Sequence, residues 1–398
     1  MPLMQAVYLA HYTLTTCLGR GRDANWEAIV QRRTGLQPCK FETAELPTFI
    51  GQVEDVELEA LPPRLARPLC RNNQLAQLAL KQDGFSKAVE EAIESYGRDR
   101  IGVFLGTSTS GILSTEIAYR HRDEKSGALP KDFHYQHTHN TFSVSGFVRD
   151  YFELEGPAVA VSSACSSSAK VFGTAARMMA CGLIDAAIVG GVDSLCLTTL
   201  YGFNSLELLS AERCQPFGAQ RNGISISEAA GFALLTREKP ASANAVAITG
   251  VGESSDAHHM SSPHPEGAGA LASMQQALAM AGVAASQIDY INLHGTATRS
   301  NDAAEGLAVS TLFGADVPCS STKGHTGHAL GAAGIVEALF CAMAIENRLL
   351  PAGVNTQAVD DSIQVNYLLE NQHSVPRAII SNSFGFGGSN CSLLRVQK

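Results

Sequence analysis

Basic residues are in short supply in this chain, with 29 Lys and Arg against 38 Asp and Glu, a net charge of -9. General nucleic-acid binding is thereby excluded, because it needs a broad basic field to displace counterions. The opening "MPLMQAVYLAHYTL" lacks a charged stretch followed by a long apolar core, and no segment is uninterruptedly apolar over the length of a bilayer crossing. No membrane span is expected, and a cytoplasmic location is. Cysteines are present but unpaired in pattern: Cys17, Cys39, Cys70, Cys165, Cys181, Cys196, Cys214, Cys319, Cys341 and Cys391 are scattered and form no CxxC. That speaks against a disulfide scaffold, and no metal is expected. Charged residues are only 17% of the chain, and there is a single tryptophan. With 45% hydrophobic residues, the composition is that of a globular enzyme with no disordered character.

Glycine, by contrast, is abundant, at 36 of 398 residues, which points to tight turns and close-packed backbone. The length exceeds a single core, so one large domain or two fused halves is expected. The runs "IGVFLG" (101–106), "AVAVSS" (158–163) and "AAIVGGV" (186–192) read as buried strands, with a helix from Cys165 to Ala180 between the last two. The second half repeats the rhythm. "AVAITGVG" and "IDYINLHG" read as strands, "GALASMQQALAMAGV", "AAEGLAVSTLF" and "GAAGIVEALFCAMAIE" as helices, and "AIISNS" and "NCSLLRV" as closing strands. Such alternation predicts βαβ units and largely parallel sheets covered on both faces. The softest boundary is "REKPASANA", 237–245, where charge and small residues interrupt the pattern.

Within this frame "SSACSSSA" (162–169) places Cys165 at a strand-to-helix turn, facing a helix N-terminus. Free N–H groups and the positive end of the dipole there favour a thiolate, and small neighbours let a substrate approach. A packed helix-start cysteine is the competing reading. "INLHGTATRSNDAAEG" places His294 at the carboxyl end of a strand, where α/β sheets collect their chemistry. "SSTKGHTGHALGAAG" puts Lys323, His325 and His328 on a glycine-rich loop, and "SNSFGFGGSN" exposes Phe384 and Phe386 on another. A lone histidine after a strand is usually a core residue. One cysteine and two histidines, each in a small-residue loop at a strand end, are hard to explain as packing.

"VSSACSSSA", "LHGTATRSNDAAE", "STKGHTGHALGAAG" and "NSFGFGGSN", in that order, resemble the four signature blocks of the β-ketoacyl-acyl carrier protein synthases, the elongating condensing enzymes of the thiolase superfamily. The similarity extends over nearly the whole chain, including "SSDAHHMSSP" (254–263). The resemblance implies a thiolase-like α/β fold of two similar βαβ-rich halves, stacked mixed sheets and layered helices. The halves divide as 1–240, carrying the nucleophile, and 241–398, carrying the histidine pair. It implies decarboxylative condensation of malonyl-acyl carrier protein with a cysteine-bound acyl chain to give a 3-oxoacyl product, in fatty-acid, type II polyketide or aryl-polyene synthesis. No cofactor is implied, the substrates riding on phosphopantetheine. The implied partners are an acyl carrier protein and a second subunit, identical or a chain-length-factor-like paralogue.

Residue by residue, the resemblance makes Cys165 the acyl-bearing nucleophile and His294 and His328 the pair that drives decarboxylation. Lys323 and Glu305 are then the charged supports of that pair, and Phe386, beside Phe384, is the gate and supplies an oxyanion N–H with Cys165. Ser261, Ser262, Thr296 and Thr298 line the pantetheine tunnel, Thr109 in "LGTSTSGI" sits near the acyl-pocket floor, and His325 is a bystander. The chain departs from the family where "VYLAHYTLTTCLG" replaces a "TG" turn, "SEAAG" replaces "GEGAG", and Gly218 in "CQPFGAQRNG" stands in for an aspartate. These departures point to a specialised branch.

Carrier proteins are acidic, so a net acidic enzyme needs a local basic patch. Arg64, Arg67 and Arg71 recur at helical spacing and are the candidate stripe, with Lys131 or "RHRDEK" (120–125) nearby; an ordinary solvated face is the alternative. Three other functions compete. A coenzyme A thiolase needs a second catalytic cysteine, which Cys391 matches poorly. A chain-length factor lacks the nucleophile present here. A cysteine hydrolase leaves His328 and Lys323 unexplained.

Overall fold

The computed structural model describes residues 3–65, 67, 69–241 and 245–397, so the central part of the soft stretch at 237–245 lies outside the described residues. Most of its strands form one 12-stranded sheet, in which the short Gly19–Arg20 pairs with Val7–Thr16 off the main path, and two small two-stranded sheets stand apart from it. From one edge to the other the order is Asn366–Tyr367, Pro318–Ser320, Tyr290–Asn292, Ala378–Gly385, Ser389–Gln397, Val246–Ser255, Val7–Thr16, Ala229–Thr236, Ala186–Asp193, Ile101–Gly106 and Ala158–Val161. The sheet is mixed, so the expectation of largely parallel strands is corrected. In each half the first strand and the returning strand are long and antiparallel, and only the outer strands run parallel.

The two halves repeat one order. Val7–Thr16 pairs antiparallel with Ala229–Thr236, that strand antiparallel with Ala186–Asp193, and the next two, Ile101–Gly106 and Ala158–Val161, follow in parallel. Val246–Ser255, Ser389–Gln397, Ala378–Gly385, Tyr290–Asn292 and Pro318–Ser320 repeat the sequence of senses. The seam between them is two residue pairs, Val7 with Ile248 and Tyr8 with Ala247.

Helices Ser167–Ala180 and Ala333–Asn347 pack on one another and touch strands of both halves, forming the central layer. Helices Arg71–Leu80, Phe85–Tyr96 and Ser143–Tyr151 cover the outer face of the first half, and Ala268–Ala281 and Arg299–Phe313 that of the second. The stretch Ala333–Ile345 is buried on every side, as its apolar sequence demands, with Glu337 as its one charge. Among the described residues one helical stretch, Leu330–Asn347, is long and apolar enough to cross a membrane, and 89% of it lies inside the fold. The sequence pattern had suggested no such stretch, and here it is the core helix.

Glycines bring the nucleophile-bearing helix close. A Cβ on Gly106 would lie 2.3 Å from the Ser168 nitrogen, and one on Gly334 would lie 2.6 Å from that of Ala169. A side chain at Gly106 would push the start of the helix off the sheet, and one at Gly334 would push it off the helix Ala333–Asn347.

Candidate active site

The strand before Cys165 ends at Val161 and the helix after it begins at Ser167, each short of the boundaries read from sequence. Between them Ala164 has a left-handed backbone with φ 53°. That residue turns the chain sharply and directs the Cys165 side chain into a pocket. The pocket encloses about 570 Å³ counting its open mouth, and it is lined by Cys165, His294, His328, Phe384 and Phe386 at its base. Ser261, Ser262, Thr296 and Thr298 line it too, so four hydroxyls sit along one approach to the sulfur. Thr296 and Thr298 share a hydrogen bond of 2.9 Å, and Thr298 caps the following helix by accepting from the N–H of Asn301.

The Cys165 sulfur lies 3.1 Å from Nε2 of His328. The rings of His294 and His328 stand 5.4 Å apart at 84°, and the ring of His294 is 5.8 Å from that of Phe384. Burial pushes the Cys165 thiol up to about 11, opposed by the Lys323 charge and the backbone N–H of Phe386. The thiolate favoured by helix position is thus outweighed by desolvation, and a base must take the proton. Both histidines are held well below their ordinary pKa, by burial first and then by the Lys323 charge. They are neutral at physiological pH, and the one within reach of the sulfur is His328.

Lys323, 1% exposed, fixes the other histidine. Its Nζ donates to the main-chain oxygen of His294 at 2.5 Å, lies 3.3 Å from Nδ1 of the same residue, and is ion-paired with Glu337. An ammonium only donates, so Nδ1 of His294 accepts and the ring proton sits on Nε2. Glu337 was missed in the sequence. The signal was there in a lone acid within an apolar helix, since a buried carboxylate persists only when paired. Glu305, the other charged support that the resemblance implies, acts on the main chain. Its carboxylate accepts from the N–H groups of His294 and Gly295, each at 2.8 Å, and from Asn382 at 3.1 Å. It therefore holds the main chain that carries His294, touching neither ring. Asp302 does the same one turn along, accepting from the N–H of Thr296 at 3.0 Å.

Two expectations need relocation. Thr109 does not line the pocket; it is 1% exposed and its hydroxyl donates to Asp193 at 2.8 Å. Asp193 also accepts from Thr107 and two backbone N–H groups of the same turn, so the hydroxyl is spent on internal bonding. The arginine stripe is broken. Pro63–Leu65 is a short 3-10 turn and the helix begins only at Arg71, so the three do not share one helical face. Arg71 turns inward to Glu228, 2.6 Å away and fully buried, and to Glu57 at 2.8 Å. Arg64 and Arg67 remain exposed, as do Lys131 and the 120–125 segment. His325 is fixed to the main-chain oxygens of Arg33 and Ala352, away from the pocket. Finally, Arg221, near the glycine that departs from the family, meets Asp360 at 2.5 Å and Asp302 at 3.8 Å.

Phe386 supports the base of the pocket from a glycine-rich turn, its ring 5.5 Å from that of Phe203, with Gly387 at φ 78° behind it. Phe203, on the helix Leu197–Ser205, and Leu208, just after it, also line the pocket and escaped the sequence reading, since nothing local marks them. Cys391 is fully buried in the central core and does not line the pocket, so the second cysteine of a thiolase is missing from this site.

Residues 12–241 match the family model described as Beta-ketoacyl synthase, N-terminal domain, and residues 245–357 match its C-terminal counterpart. The chain is 32% identical to the 3-oxoacyl-[acyl-carrier-protein] synthase 2 of Rhizobium meliloti (strain 1021), covering 98% of each chain. It is 31% identical to the mitochondrial 3-oxoacyl-[acyl-carrier-protein] synthase of Arabidopsis thaliana, over 96% of this chain and 91% of the relative. Among solved structures, the ketosynthase ApeO of Xenorhabdus doucetiae, in complex with its chain length factor ApeC, superposes with a TM-score of 0.90 at 38% identity. That match covers 99% of this chain and 98% of the other.

Proposed function

Since the chain belongs to the beta-ketoacyl synthase family, we propose that Cys165, His294 and His328 carry out its condensing reaction, with Lys323 and Glu337 setting the histidines. The enzyme is an acyltransferase that joins a malonyl unit to an acyl chain on acyl carrier protein, in fatty-acid or polyketide synthesis. The observation that carries the site assignment is the convergence of three groups. The Cys165 sulfur, one ring nitrogen of His294 and one of His328 all lie within 4.8 Å of one another.

The chemistry follows in two stages. An acyl thioester enters past the hydroxyls of Ser261, Ser262, Thr296 and Thr298, and the Cys165 thiol passes its proton to His328 as the sulfur attacks. The backbone N–H groups of Cys165 and Phe386 hold the oxyanion, the pantetheine sulfur leaves, and it takes the proton. Each such donor is worth roughly 3 kcal/mol of barrier. In the second stage, with the His328 proton moved from Nδ1 to Nε2, the malonyl carboxylate departs as carbon dioxide, and its electron pair moves into an enolate whose oxygen accepts from Nε2 of both histidines. The enolate carbon attacks the acyl-cysteine carbonyl, and collapse of that adduct breaks the carbon–sulfur bond to Cys165, releases 3-oxoacyl carrier protein and leaves a Cys165 thiolate that takes up a proton from solvent.

The partners of this reading are a carrier protein and a second subunit. The solved Xenorhabdus relative, paired with its chain length factor, supports a paralogue in that place. A specialised polyketide or aryl-polyene pathway is part of the proposal, supported by the same relative and by Gly218. Phosphopantetheine carries the substrates and no further cofactor enters the chemistry. A cytoplasmic location is likewise proposed, and the ten free cysteines support it. The division into 1–240 and 241–398 is proposed from the repeated strand order. Intact mass after incubation with acyl-carrier protein and with acyl-coenzyme A tests the reading. An acyl adduct on Cys165 from the carrier-bound donor is expected, and adduct formation from coenzyme A alone would favour the thiolase reading.

A further inference from the structure

The glycine-rich turn that presents Phe386 bears at both ends on the elements that carry the nucleophile. Its own backbone is permissive, with Gly387 at φ 78° and Gly388 at φ 72°, so ties from outside must fix it. Two come from the 256–260 segment: Gly387 donates its N–H to the main-chain oxygen of Met260 at 2.8 Å, and Asp256 donates to that of Gly388 at 2.9 Å. That segment lies at the surface, Met260 being 79% exposed. The ends of the turn, Gly385 and Ser389, face one another across the antiparallel pair Ala378–Gly385 and Ser389–Gln397. Gly385 packs on the nucleophile turn, where a Cβ would lie 2.9 Å from the oxygen of Ser163 and 3.2 Å from the nitrogen of Cys165. Ser389 meets the helix that follows. Its hydroxyl accepts from Nζ of Lys170 at 2.7 Å and lies 3.4 Å from that of Ser166, one turn earlier on the same face. Lys170 is half-buried and makes no ion pair among the described residues, since Glu253 on the strand Val246–Ser255 is taken by Arg177 of the same helix at 3.3 Å. An ammonium directed at a hydroxyl makes a charge-assisted bond, stronger than a neutral one. The chemistry above gives this lysine no part.

We propose that Lys170 is a positioning residue for acyl transfer: through Ser389 it fixes the returning end of the Phe386 turn on the nucleophile-bearing helix, and so keeps the N–H of Phe386 aimed at the thioester oxygen beside Cys165. The inference rests on the roles assigned above to Cys165 and to the N–H of Phe386. Lys170 does not line the pocket and acts only through the turn. Nucleophile and oxyanion donor lie far apart in the chain, and attack needs them registered closely against one another. The lysine supplies that register from the rigid side, the helix, where the 256–260 segment supplies it from the surface. The histidine pair is held separately, with Lys323 on His294. Enolate formation is therefore independent of the Lys170 tie, and cutting the tie should separate the two half-reactions.

The test follows acyl loading of Cys165 from acyl-carrier protein by intact mass against time, in the parent, Lys170→Met, Lys170→Arg, Ser389→Ala and the Lys170→Met/Ser389→Ala double variant. Carbon dioxide release from malonyl-carrier protein is measured with and without Lys170→Met in a Cys165→Ala background, so that loading cannot limit it. Lys170→Met should load roughly tenfold more slowly at saturating donor, with KM unchanged, while carbon dioxide release keeps the rate of Cys165→Ala alone. Lys170→Arg should recover most of the loading rate, and the double variant should load no more slowly than either single one. Loading at the parent rate in Lys170→Met, or multiplied effects in the double variant, overturns the proposal. So does an equal fall in both half-reactions, which marks a general structural role. If Lys170→Met does not fold, Ser389→Ala, which removes the acceptor and leaves the helix intact, is read in the same way. A parent enzyme that takes no acyl group on Cys165 instead defeats the underlying reading of the nucleophile.

Discussion

His294 and His328 stand nearly perpendicular, 84° between rings, yet only His328 has a ring nitrogen in hydrogen-bond contact with the Cys165 sulfur. The two histidines therefore divide the work unequally. His294→Ala should load acyl groups at near the parent rate and lose carbon dioxide release by roughly 100-fold or more, the loss of one oxyanion donor. His328→Ala should slow both steps. Separate mass and radiolabel assays of the two steps decide this, and equal loading in both variants would remove His328 from proton transfer.

Cys165→Ala should abolish loading and condensation while decarboxylation persists, because the histidine pair and its lysine remain. Intact mass should show no acyl adduct on this variant, and an adduct would assign the nucleophile elsewhere.

The buried acids give activity and stability opposite pH slopes. Glu337 and Glu305 are each pushed by burial from 4.5 to about 7. Between those values the folded chain holds protons the unfolded chain has lost, so their contribution to stability is present at low pH and declines as pH rises toward 7. Decarboxylation needs Glu337 ionised and should rise over the same range. Thermal melts and carbon dioxide release, followed together from pH 5 to 8, should diverge, and parallel curves would contradict the assignment.

Glu305→Ala should act through the main chain. It strips acceptors from the N–H groups of His294 and Gly295 and from Asn382, and each unsatisfied buried donor costs about 1–3 kcal/mol. A clear fall in Tm is expected, with loss of decarboxylation in whatever protein remains folded, and an unchanged Tm would show that the loop holds itself.

Charge reversal separates the arginines. Arg64→Glu with Arg67→Glu should raise KM for carrier-bound substrates in a salt-sensitive way and leave small pantetheine thioesters unaffected. Arg71→Met should instead destabilise the fold by about 3–5 kcal/mol, because it leaves Glu228 buried without its partner. Equal effects on both substrate types would place the carrier surface elsewhere.

Much of this site could be read in sequence because its parts lie at strand ends next to glycine. The turns at Cys165, His294 and His328 are local events with local signatures, and the long apolar runs announced the strands that deliver them. What escaped depended on tertiary partners. Arg71 looked like one member of a surface stripe because nothing local shows that Glu228, far along the chain, waits behind it. Thr109 looked free for substrate because Asp193 arrives from another strand. Strand sense was misjudged for a similar reason: alternating helices and strands suggest parallel pairing, whereas Ala229–Thr236 and Ser389–Gln397 return antiparallel.

The left-handed Ala164 is a choice between two ways of losing free energy. For a residue with a side chain, that backbone region costs roughly 1–2 kcal/mol, a strain glycine escapes. Glycine would in turn free the unfolded chain, and give back a similar amount in entropy. With the totals nearly level, the difference lies in breadth of motion: a methyl group confines the turn to one narrow well, and the sulfur that follows it is aimed by the backbone itself. Reactivity here is bought with local strain, and a chain relaxed at this one position would keep its fold and lose its aim.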